Sequence, residues 1–183
     1  MTDNVPQTRI YREWNTPGLA ADGNDRLMLD LAANVLGGSK TSRLYQRLVY
    51  QDKLADDVSV GNMTFELASM TLLQIDVKKG ADVARIDAAV ADEWAKFLKD
   101  GPTADELERA KTTYQASTIR GLEQIGGFSG KAVTLAEGQV YRGDPGAWKK
   151  DYDVTLAATP AAVRAAADKW LTKGDYTLTV EPG

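Results

Sequence analysis

Between Gly37 and Val60 the hydrophobic repeat changes from that of a helix to that of a strand, and no other feature constrains the fold as tightly. Upstream, Leu27, Met28, Leu31, Ala32, Val35 and Leu36 recur at the spacing of one helix face. The spacing predicts a helix over Asp22 to Leu36, closed at Gly37-Gly38 by glycine in the left-handed conformation. A polar link, Ser39-Lys40-Thr41, leads into a second helical run, Ser42 to Tyr50. Val58 and Val60 then start a period of two, and Leu73, Ile75 and Val77 continue it against Gln74 and Asp76. Residues 55–64 and 67–77 are therefore expected to form an antiparallel hairpin with one face wet.

The remaining segments extend this pattern. Arg9 to Trp14 alternates as a strand, stopped by Thr16-Pro17-Gly18, while residues 1–8 are polar and expected to fray. Asp82 to Leu98 returns to helical spacing through Val83, Ile86, Val90, Trp94 and Phe97, and Gly101-Pro102 ends it. Thr103 and Glu106 have the spacing of a capping box, which opens a helix to about Gln124. Gly126-Gly127 interrupts, and helices are expected over Phe128 to Tyr141, Trp148 to Leu156 and, after the Thr159-Pro160 start signal, Ala161 to Leu171. Tyr176 to Val180 reads as a closing strand. The expected architecture is α+β: one domain over residues 1–183, with helices packed on one face of a mainly antiparallel sheet.

Composition excludes several chemistries. The 183 residues contain no histidine and no cysteine, so imidazole bases, thiolate nucleophiles and the imidazole and thiolate ligands of zinc are missing, and only an all-carboxylate or oxygen-ligand metal site stays open. A net charge of −4 disfavours a polyanion-binding surface, and nucleic acid is not an expected partner. No stretch approaches the roughly 18 apolar residues of a membrane span. Met1 is followed by polar residues rather than an apolar signal core, and the chain is expected to be a piece of a longer, multidomain parent.

Three local motifs carry a functional reading beside a plainer one. Gly38-Ser39-Lys40-Thr41 resembles the end of a phosphate loop, and a small-molecule or nucleotide-binding protein dependent on Lys40 is one competing reading. However, Ser39 separates glycine from lysine, Ala33 stands where the first glycine belongs, and a helix leads in. A helix end followed by a new start accounts for the same residues. Gly126-Gly127-Phe128-Ser129-Gly130-Lys131 could be a flap offering Lys131 to a substrate carbonyl or carboxylate, or simply a turn between helices. Asp56-Asp57 and the group Asp105, Glu106 and Glu108 have no calcium-loop spacing and fit solvated helix starts. No catalytic, metal or cofactor residue is expected in this chain.

The segments Leu36-Gly-Gly-Ser-Lys-Thr-Ser-Arg-Leu-Tyr-Gln-Arg-Leu48, Lys53-Leu-Ala55 and Gly101-Pro-Thr-Ala-Asp-Glu-Leu-Glu-Arg-Ala-Lys111 together resemble the second, non-zinc domain of the pitrilysin/insulinase zinc metallopeptidases. That family includes the mitochondrial processing peptidases and the core subunits of the cytochrome bc1 complex. The resemblance makes Gly37, Gly38, Ser42, Arg43, Leu44 and Tyr45 structural motif residues. It implies a domain that helps enclose a peptide chamber and packs on a sister domain or subunit carrying H-x-x-E-H, where the zinc would reside. Catalytic partner domains of the family supply an Arg and a Tyr to the substrate carbonyl. The matching positions here are Val49 and Asp56, which cannot stabilise an oxyanion. The resemblance thus implies a non-catalytic domain whose parent is a zinc peptidase, in many relatives exported to the periplasm, with peptides as substrates. The alternative is a structural assembly subunit, like the bc1 core proteins, of a parent that has lost zinc.

Overall fold

The computed structural model describes every residue except Asp22, Phe128 and Ser129. Two strands, β1 (Thr2–Asp3) and β2 (Arg9–Pro17), precede helix α1 (Asp25–Gly37). A short helix, α2 (Arg43–Tyr45), runs on into a π-helical turn, Gln46–Gln51. The hairpin β3 (Ala55–Met63) and β4 (Ala68–Val77) follows. Five helices come next: α3 (Val83–Asp100), α4 (Ala104–Glu123), α5 (Lys131–Arg142), α6 (Ala147–Leu156) and α7 (Pro160–Trp170). Strand β5 (Tyr176–Pro182) closes the chain. The sheet order is β1-β5-β2-β4-β3, antiparallel except between β1 and β5. The expected α+β architecture is present.

The alternation in β4 decides which side is covered. Ser69, Thr71, Leu73, Ile75 and Val77 are buried, while Met70, Leu72, Gln74 and Asp76 between them keep solvent contact. On the covered side α1 presents Leu27, Met28, Leu31, Ala32, Val35 and Leu36, the stripe its sequence spacing predicts. Trp94 from α3 stacks on Trp14 of β2, with centroids 4.5 Å apart and planes at 12°. Ile86, Val90 and Phe97 of α3 and Val163 and Ala167 of α7 complete the core. No helix among the described residues is long and apolar enough to cross a membrane.

Several element ends follow from local chemistry. The capping box is formed: Glu106 N–H donates to the Thr103 hydroxyl, and Thr103 N–H donates to the Glu106 carboxylate at 2.8 Å. Ala162 N–H donates to the Thr159 hydroxyl, with Pro160 starting α7 as expected. Gly101 stops α3 at φ 73°, a conformation glycine adopts without strain.

Four expectations need correction or placement. The first residues are not wholly frayed, because Thr2 and Asp3 pair with Glu181 and Pro182, and the N-terminal ammonium donates to Thr179 O at 2.7 Å. Gly38 caps α1 at φ −77° rather than in the left-handed region. Glycine is needed here for close approach instead: a Cβ on Gly37 would sit 2.5 Å from Val60 N, and one on Gly38 would sit 2.6 Å from Asn34 Cα. Strand β2 runs on to Pro17, beyond Glu13 where its pairing with β5 ends, so the missing proline N–H costs no ladder bond on that side. The expected helix starts at Asp22 and Phe128 lie outside the described residues; the described helices begin at Asp25 and Lys131.

Two backbone features are directly testable. Gly37→Ala forces α1 away from β3 and should lower stability by about 1–3 kcal/mol in urea unfolding. Lys53 is the one non-glycine residue with positive φ among those described, at 55°. Lys53→Gly removes that strain and should raise stability by about 1 kcal/mol in the same measurement.

Candidate functional site

Two of the three sequence segments that carry the family resemblance, Leu36–Leu48 and Gly101–Lys111, meet in space through one guanidinium. Arg43 Nε donates to Glu106 Oε1 at 2.8 Å, and its terminal nitrogen donates to Oε2 at 2.7 Å and to Gly101 O at 3.0 Å. The same guanidinium lies 5.3 Å from the Phe97 ring centroid. Arg43 therefore ties α2 to the end of α3 and the start of α4, with a bidentate geometry that lysine could not reproduce. Ser42 starts α2 by donating its hydroxyl to Ser39 O at 2.6 Å, and Leu44 and Leu48 are fully buried beneath it. Tyr45 is half-buried and packs on Tyr50, 5.6 Å between centroids. Gly37, Gly38, Ser42, Arg43, Leu44 and Tyr45 thus all have packing or hydrogen-bonding roles at this junction.

Val49 sits in the π-helical turn, partly buried against the core. Asp56 is exposed at the start of β3, where the register shifts between Ala55 and Asp57, and its carboxylate receives Gln7 Nε2 at 3.5 Å. Neither side chain can donate to a substrate carbonyl. Lys131 is exposed at the first turn of α5, a helix that packs on α4 and α6. The fold does not bring it to the Ser42–Tyr45 junction. Of the glycine-rich stretch around it, Phe128 and Ser129 lie outside the described residues. Lys40 is in a turn: its carbonyl accepts from Gln46 Nε2 at 2.6 Å, and the Ser39 and Thr41 hydroxyls are 3.0 Å apart. This is the helix-end arrangement rather than a phosphate cradle.

The acidic groups are scattered in role. Glu106 is taken by Arg43, Glu108 pairs with Lys111 at 3.0 Å, and Asp105 is exposed in the first turn of α4. Among the described residues no group of three or more His, Cys, Asp or Glu could hold a metal ion. With no imidazole or thiolate available, the donor set does not fit zinc. A hollow of about 450 Å³ between the start of α1 and α5–α6 has its main charges paired off: Asp151 accepts from Arg26 at 2.7 Å and from Arg142 at 2.6 Å.

The far face of the sheet is a second surface without an assigned partner. Among the described residues no helix packs there, since the helices with strand contacts lie on the covered side. Strand register sets its rows: Tyr176, Glu13, Leu72 and Gly61 lie side by side, as do Leu178, Tyr11, Gln74 and Ser59. Asn15, Met70 and Met63 form a third row. The face mixes aromatic, thioether, amide and hydroxyl groups, chemistry suited to adaptable contacts with extended chains. Arg12, although next to Glu13 in sequence, points to the covered side. It donates to Asp175 at 2.8 and 2.9 Å and holds that carboxyl below its ordinary range. Sequence alternation marked Arg9 to Trp14 only as a strand; register with β4 and β5 is what gathers Tyr11 and Glu13 into one surface.

The Arg43–Glu106 pair makes a pH prediction. Burial pushes the Glu106 carboxyl up, but the hydrogen bonds from Arg43 and the Thr103 amide outweigh it and bring it from 4.5 to about 2. The folded value is depressed, so the stabilisation is complete above pH 4.5 and is lost as pH falls toward 2. Allowing for the solvent still in contact with both side chains, it is worth about 1–2 kcal/mol. In denaturant unfolding at neutral and acid pH, Glu106→Gln should reduce the acid loss of stability by that amount.

The family model of the peptidase M16 inactive domain matches residues 1–114. No curated protein matches the sequence. Among solved structures, a protease from Helicobacter pylori superposes with TM-score 0.85 at 19% identity, covering 100% of this chain and 43% of that one. The inactive peptidase domain of a candidate zinc protease from Bordetella parapertussis gives 0.83 at 20% identity, covering 100% and 95%. A peptidase M16 inactive domain from Pseudomonas fluorescens gives 0.80 at 18% identity, covering 100% and 42%. The chain therefore spans less than half the length of the Helicobacter and Pseudomonas proteins. At these identities the likeness establishes a shared fold. With more than half of its length matched by the family model, the chain belongs to the peptidase M16 inactive domain family.

Proposed function

We propose that this chain is the non-catalytic domain of a pitrilysin/insulinase-type zinc peptidase and that the open face of its sheet forms part of the wall of the peptide chamber. The observation that supports this reading most is the bare sheet face, with Tyr11, Leu72, Met70 and Leu178 left uncovered beside polar neighbours. Partly exposed side chains of that mixture suit transient contact with unfolded peptides. The partner is a zinc-bearing sister domain, in the same longer parent or in a second subunit. This chain contributes shape and packing: Arg43 fixes the helical layer, and the helical layer fixes the curvature and position of the sheet. The metal-bound water, the glutamate base and the electrophilic assistance to the carbonyl come from elsewhere, because Val49 and Asp56 supply no donor.

The purified chain should carry no stoichiometric zinc by metal analysis and should not cleave an unstructured fluorogenic peptide. Added to a separately prepared domain bearing H-x-x-E-H from the same parent, it should raise cleavage above that domain alone. Stoichiometric zinc in this chain, or cleavage by it that a chelator abolishes, would overturn the reading.

A further inference from the structure

The chain has no cysteine, so its sulfur lies in four methionine thioethers, and the fold gives these different surroundings. Met28 is 6% exposed, enclosed in the core on α1, and Met1 lies at the N-terminal margin beside β5. Met63 and Met70 stand opposite each other at the turn end of the β3–β4 hairpin, on the open face of the sheet. Directly opposed residues of an antiparallel pair have Cβ atoms about 4.5–5.5 Å apart, so the two thioethers are neighbours. Met63 is 48% exposed, and Met70 keeps solvent contact. On the far side of Met70 the β2 register places Asn15, whose exposed carboxamide makes no hydrogen bond among the described residues.

A thioether within reach of solvent is open to attack on a hydroperoxide. The sulfur forms an S–O bond as the O–O bond breaks, losing two electrons that the peroxide gains. The proton of the transferred hydroxyl leaves with the departing oxygen as water or an alcohol. The sulfoxide is polar and accepts hydrogen bonds, and the Asn15 amide beside it has N–H groups to donate. We propose that Met63 and Met70 form a reversible oxidation site for hydroperoxides, which turns the hairpin end of the open face from apolar to polar. Oxidation loosens apolar peptide segments there, and methionine sulfoxide reductases restore the contact. This consequence rests on the chamber-wall reading, whereas the site itself rests on register and exposure.

The test treats the 183-residue chain with dilute hydrogen peroxide, removes the peroxide by gel filtration and maps the products by mass spectrometry. Met63 and Met70 should gain oxygen about tenfold faster than Met28, and the two epimer-specific sulfoxide reductases should remove it. Fluorescence anisotropy then follows a labelled, uncharged, unstructured peptide rich in leucine and phenylalanine and free of methionine. Its affinity should fall about fivefold on oxidation and recover on reduction. In the double variant Met63→Leu, Met70→Leu, the ratio of affinities before and after peroxide should be close to one, although Met1 remains oxidisable. Each single variant should keep part of the response. Thermal unfolding verifies that the oxidised and variant chains keep the fold. Oxidation of Met63 and Met70 no faster than that of Met28 overturns the site. Oxidation that leaves the affinity unchanged, or a response that persists in the double variant, overturns the switch and leaves the chamber wall standing. Failure of the peptide to bind either form overturns the chamber wall and the switch together, while the mapped rates still decide the site.

Discussion

Among the described residues the sheet is covered by helices on one side only, and the other elements of this domain accommodate that constraint. In β4 the buried and solvent-touched residues alternate without a break from Ser69 to Val77. A slip of one residue against β2 would carry Leu73, Ile75 and Val77 to the wrong side, so the nine-residue register between these strands is firmly specified. The helices must then collect on the covered side, and α1 approaches β3 closely enough that only glycine fits at position 37. What is left over is a face of mixed chemistry, the surface to which the proposed role is assigned.

Holding the layers together falls to a few polar contacts at their margins. Arg43 bridges three elements through Glu106 and the Gly101 carbonyl, and Arg12 ties the covered side of β2 to the loop before β5 through Asp175. Both arginines are forked and paired with carboxylates partly screened from water, where such contacts contribute more than at an open surface. The π-helical turn after α2 costs regularity, and Lys53 adds a strained φ of 55°. The segment is kept in place by burial of Leu48 and Leu54 and by the Leu54 N–H donating to Leu48 O at 2.8 Å. Local irregularity is therefore offset by packing.

Much of this was legible in the sequence. The helical stripe from Leu27 to Leu36, the alternation from Leu73 to Val77, the capping box at Thr103 and Glu106 and the Thr159-Pro160 start all declare themselves through spacing, because each depends on neighbours within a few residues. What stayed hidden depends on remote partners. Thr2 and Asp3 have no period of their own and are ordered by Glu181 and Pro182. Glu106 serves its cap and Arg43 at once, and the cap alone already explained its presence. Glu13 was only one residue of an alternating strand; the neighbours brought by β4 and β5 show that it is flanked by Leu72 and Tyr176.

The pairing of β1 with β5 has a further consequence. Thr2 and Asp3 run alongside Glu181 and Pro182, so both ends of the 183-residue chain emerge from the same margin of the sheet. Closing them with a short loop and cutting elsewhere would leave the architecture intact, which makes the domain a natural candidate for circular permutation. Any modules tethered to both ends would have to share that single margin, on the side of the sheet opposite the β3 hairpin edge.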